Sequence, residues 1–74
     1  MDVSYHIRSS IIKVEDPRKL TPEKAEELIN NASNVLLSEL KRELPQGFEI
    51  VSHSISQIFS NISVSYLVKA VRRG

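Results

Sequence analysis

From Val3 the chain alternates apolar and polar residues through Tyr5 and Ile7, then carries Ile11, Ile12 and Val14. A period of two with β-branched and aromatic side chains predicts a strand over about residues 2–14. Val3, Tyr5 and Ile7 share its apolar face with Ser9, while His6 and Arg8 share the other with Ser4 and Ser10. The adjacent Ile11 and Ile12 blur the alternation and allow a bulge.

The period changes after Asp16-Pro17 and Thr21-Pro22. Thr21 as N-cap, Pro22 at the first helical position and Glu23, Glu26 and Glu27 near the positive end of the dipole mark a helix start. Ala25, Leu28, Ile29, Ala32, Val35, Leu36, Leu40 and Leu44 recur at steps of three and four, a stripe that faces a sheet, with Leu37 to its side. Lys41 and Arg42 suit the C-terminal end, so the helix is predicted over about residues 22–44. Asn30, Asn31, Ser33 and Asn34 are weak helix formers, so this helix relies on packing more than on propensity.

After Pro45-Gln46-Gly47, alternation resumes as a hairpin with strands about 48–59 and 62–72. With Ser60-Asn61 as its two-residue turn, Phe59 faces Ile62, Ile55 faces Tyr66, Val51 faces Ala70 and Glu49 faces Arg72. That face also holds Val64 and Val68, with His53 and Gln57 as polar exceptions, and is the expected seat of the helix. The opposite face carries Ser52, Ser54, Ser56, Ser63 and Ser65 with Ile50, Ile58, Leu67 and Val71 among them. A slip of one residue would exchange the faces.

The predicted fold class is α+β: one β-α-β-β domain, a three-stranded antiparallel sheet with the most apolar third strand central, and one long helix on one face. A helix of ~22 residues and hairpin strands of ~11 residues both measure about 35 Å, so the layers match. The chain resembles, over its whole length, small bacterial strand-helix-strand-strand proteins. The resemblance rests on the Val3 to Val14 strand, the Pro22 to Leu44 helix and the strand ending in Val64-Ser65-Tyr66-Leu67-Val68. These include the dodecin family and small sporulation-associated proteins of Gram-positive bacteria. The dodecin likeness implies an oligomer. Dodecins stack flavins against a tryptophan, and this chain has no Trp, so no site residue is carried over and no cofactor is expected. The sporulation-associated group implies no activity.

Composition narrows the function. Ten Lys/Arg against nine Asp/Glu leave a net charge of +1, too little to hold nucleic acid by field alone. The basic Lys69-Ala70-Val71-Arg72-Arg73 end has no interleaved aromatics for base stacking, so nucleic acid is not the expected partner. The absence of cysteine excludes disulfides and thiol chemistry. The uncharged stretch from Ile50 to Val68 is too rich in Ser, Asn, Gln and His for a membrane span, and Met1 to His6 lacks a signal pattern. A cytoplasmic protein is expected.

No G-x-S-x-G, H-E-x-x-H or phosphate-loop pattern occurs, so the expectation is a non-enzymatic structural or protein-interaction module. His6 and His53 are read as facing opposite sides, which leaves no metal site. With one face uncovered and only 74 residues to form a core, a homo-oligomer is expected, a dimer first, with Ile50, Ile58, Leu67 and Val71 as interface. The alternative is a small ligand or anion held at a subunit junction by His6 and Arg8, on the face with the hairpin serines.

Overall fold

The computed structural model describes residues 3–71 and contains strand β1 (Tyr5–Lys13), helix α1 (Pro22–Glu43), strand β2 (Phe48–Ile58) and strand β3 (Asn61–Ala70), with a 3-10 turn at Pro17–Lys19. The sheet is antiparallel in the order β1-β3-β2, so the expected α+β strand-helix-strand-strand fold with its third strand central is observed. Thr21 caps α1 by accepting a hydrogen bond from the Lys24 N–H at 3.1 Å, and Pro22 follows as the first helical residue. The helix ends at Leu44, whose N–H donates to the Leu40 carbonyl. Gly47 then takes a φ of +109°, open to glycine at little cost, and turns the chain into β2.

The core lies between α1 and the central strand. Leu36 and Leu40 pack on Ile62, Val64, Tyr66 and Val68, the alternate residues of β3, with Val14 closing one end. Ser33 is also buried, a small residue that lets the helix approach the sheet. Val35, expected on the stripe, is 57% exposed, whereas Leu37 packs against the core. The buried arc is therefore centred on Leu36 and Leu40, and Val35 lies past its edge.

Helix α1 seats over β1 and β3 and leaves most of β2 outside its cover. One helix is about 10 Å wide and three strands about 14 Å, so an edge strand is left out. The radius of gyration is 14.5 Å, against about 11 Å for a compact chain of this length. The accessible surface is 5660 Å², against about 4,600 Å² for a compact monomer of this mass.

The hairpin register differs from the expected one. The turn is Phe59-Ser60, flanked by the pair Ile58 and Asn61, so Ile55 faces Val64 and His53 faces Tyr66. Asn61 is held in β3 by its pairing with Lys13, and the Ser60 carbonyl accepts a hydrogen bond from the Val14 N–H. Docking to β1 thus decides which residues turn. A shift of two keeps each residue of β2 from Ser52 to Ile58 on its expected face. A bulge at Val51 then reverses the faces before it, so Phe48 and Ile50 pair with Ala70 and Val68 on the helix side. Phe48 packs against the core there. The expected partner of Glu49, Arg72, lies outside the described residues, and Glu49 pairs with Lys69.

Strand β1 is inverted with respect to expectation. Its helix side carries Ser4, His6, Arg8 and Ser10 followed by Ile12 and Val14, while Tyr5, Ile7 and Ile11 point to the bare side. The helix covers the C-terminal end of β1, where Ile12 packs against the core and Val14 is buried. Towards its N-terminal end the same side meets the end of α1, where polar residues remain half exposed.

Candidate interaction surface

Antiparallel pairing sets the three strands in rows across the bare face. They are Tyr5–Lys69–Glu49, Ile7–Leu67–Ser52, Ser9–Ser65–Ser54, Ile11–Ser63–Ser56 and Lys13–Asn61–Ile58. Tyr5, Ile7, Ile11 and Ile58 are between 61% and 72% exposed; Leu67, half-buried, lies beside Ile7, and Ile58 stands three rows away at the other end of the face. Isolated exposed apolar residues are ordinary, but Tyr5 and Ile7 adjoin Leu67 in the kind of patch that marks an interaction site, with Ile11 and Ile58 beyond the serine row on the same face. The serines between them are small and lower the surface to a shallow floor.

Of the residues expected on this face, Ile58 and Leu67 lie in its rows, and Val71 follows β3 with its N–H donating to the Gly47 carbonyl. Ile50 does not: the Val51 bulge turns it to the helix side, where it is half exposed beside Val68. Tyr5, Ile7 and Ile11 enter the face because β1 is inverted. The signal in the sequence was the pair Ile12 and Val14 beside the connection to the helix, which outweighs Val3, Tyr5 and Ile7 because it lies where the helix can reach.

His6 and Arg8 are on the helix side, away from the hairpin serines. His6 Nε2 lies 3.3 Å from Ser4 Oγ. The Arg8 guanidinium forms a two-pronged ion pair with the Glu43 carboxylate at the end of α1 and also donates to the Ile7 carbonyl at 2.8 Å. Its charge is matched within the fold, and the pair ties the edge strand to the helix. His6 and His53 share the helix side rather than facing apart, but they belong to opposite edge strands with β3 between them and sit one row out of line, about 12 Å apart. Among the described residues no three His, Asp or Glu side chains converge. The basic cluster is described only from Lys69 to Val71, and Lys69 lies beside Glu49; Arg72 and Arg73 lie outside the described residues.

Two further features stand on the helix side. The His53 imidazole lies flat on the Tyr66 ring, centroids 4.2 Å apart and planes 2° from parallel. His53 thereby covers one face of the Tyr66 ring from β2. A cleft of about 340 Å³ opens where β1 leads to the helix, between Val14, Leu20 and Leu28, with Lys13, Lys19 and Lys24 and the acidic Glu15 and Asp16 around it. No helix among the described residues is long and apolar enough to cross a membrane. Comparison with protein-family models, curated proteins and solved structures found no match.

Proposed function

We propose that this chain is a small non-enzymatic interaction module that self-associates through its uncovered sheet face. The observation that carries the reading is the bare face itself, where Tyr5 and Ile7 stand exposed beside Leu67, and Ile11 and Ile58 stand exposed further along the same side of the sheet. Among the described residues one α-helix covers one side of the sheet and no second layer covers the other. Covering it with another protein surface removes apolar area from water at about 25 cal/mol per Å². The test is solution mass by light scattering over a dilution series. A mass near twice 8.4 kDa that falls toward 8.4 kDa on dilution is expected. A value of 8.4 kDa at every concentration up to several hundred micromolar overturns the reading.

A further inference from the structure

We infer that the second copy docks face to face and end over end, with the Ser9–Ser65–Ser54 row of each copy lying on that of the other at a twofold axis. This rests on the self-association reading and specifies its geometry. The rows are balanced about the serine row: Ile7 stands one row to one side of Ser9 and Ile11 one row to the other. Turning a copy end over end stacks β1 on β1 and brings each Ile7 onto the other copy's Ile11. Leu67 falls over the other copy's Ser63, large on small, and Ser52 over Ser56.

The serines identify the occupant. A buried hydroxyl without a hydrogen-bond partner is costly. A wholly apolar partner would strand the serine row, whereas a second copy lines both sides of the gap with hydroxyls that a bridging water joins. Charge selects the orientation. End over end, the Lys13 ammonium approaches the Tyr5 ring and Lys69 approaches Asn61, so no like charges lie directly opposite. Stacking with the axis along the strands would instead lay each row on itself and set Lys69 against Lys69.

The extent is sufficient for a reversible dimer. Three strands by about ten residues measure about 14 by 33 Å, so two copies cover about 900 Å² before side-chain relief is counted, near the ~1,000 Å² that a specific interface needs. Stacked sheets cross at about 30°, so the contact is centred on the serine row, is made by the Ile7–Ile11 stacks on either side of it, and loosens outward. The hairpin tip, with Phe59 91% exposed, then overhangs the other copy's Val3 and Val71 end.

The test is the dimer dissociation constant by sedimentation equilibrium, with circular dichroism confirming the fold of each variant. Ile7→Glu sets a carboxylate against an isoleucine at two symmetry-related points and is expected to weaken the dimer about 100-fold. Adding Ile11→Lys gives each carboxylate an ammonium opposite, and affinity should return to within about tenfold of the parent. Ile7→Glu with Ile11→Glu should remain monomeric. A dimer lost in Ile7→Glu and not recovered by Ile11→Lys overturns the end-over-end geometry while leaving self-association through the face intact. A dimer that resists Ile7→Glu places the contact elsewhere and overturns the inference. A parent chain monomeric throughout overturns the self-association reading itself.

Discussion

Strands β2 and β3 belong to one hairpin and alternate apolar and polar residues with the same period, yet they end in different environments. β3 buries Ile62, Val64, Tyr66 and Val68, while β2 is exposed at every position after Phe48. Ile55 and Val64 are direct neighbours across the ladder, one 49% exposed and the other fully buried. Their side chains are alike, so the difference comes from position: β3 lies beneath α1 with a strand on either side, and β2 is an edge the helix does not span. Apolar alternation thus fixes which side of a strand is apolar. How much it contributes depends on the layer above it.

The contrast is broken most directly by truncating one isoleucine on each strand. Ile62→Ala, at a site 1% exposed, is expected to lower the unfolding free energy by about 2–5 kcal/mol in urea titrations. Ile55→Ala should cost about 1.5 kcal/mol or less, since half its surface already meets water. Equal losses would mean that β2 is covered as well as β3. His53→Ala tests a place where β2 supplies its own cover, and losing the stack on Tyr66 should cost about 1 kcal/mol. An unchanged unfolding midpoint would show that the ring contact contributes nothing.

At the turn that joins the two strands, Phe59 has a φ of +53° while being almost wholly exposed. Phe59→Gly is therefore expected to raise monomer stability by about 1 kcal/mol, and a loss would show that the exposed ring makes contacts of its own. The smallest effect is expected at the other edge strand, where the solvent-accessible Arg8–Glu43 pair links β1 to the helix end. A double-mutant cycle with Arg8→Ala and Glu43→Ala should give a coupling of about 0.5 kcal/mol, weaker in high salt. A coupling above ~2 kcal/mol would make this tie a principal support of the edge.

Local chemistry made much of this fold legible. Thr21-Pro22 placed the helix start, Gly47 its exit, and the Val64–Tyr66–Val68 alternation named the central strand's buried side. The candidate surface was legible only in part. Ile58 and Leu67 follow from hairpin alternation alone, but Ile50 depends on the Val51 bulge, and Tyr5, Ile7 and Ile11 depend on which end of β1 the helix covers. A strand with Tyr5 and Ile7 on one side and Ile12 and Val14 on the other carries two competing apolar faces, which alternation does not rank and the reach of the helix does.

The sequence by itself determined the elements, their order and the capping chemistry, because these depend on contacts within a few residues along the chain. Tertiary structure decided the turn at Phe59-Ser60, the bulge at Val51 and the side of β1 that packs inward. Each of these follows from residues far apart in sequence: Val14 hydrogen-bonds Ser60, Phe48 reaches the core, and Ile12 and Val14 pack in the core with Leu36 and Leu40 of α1. A period of two is equally satisfied by either face of a strand, and only the placement of a single helix, too narrow for three strands, removes that degeneracy.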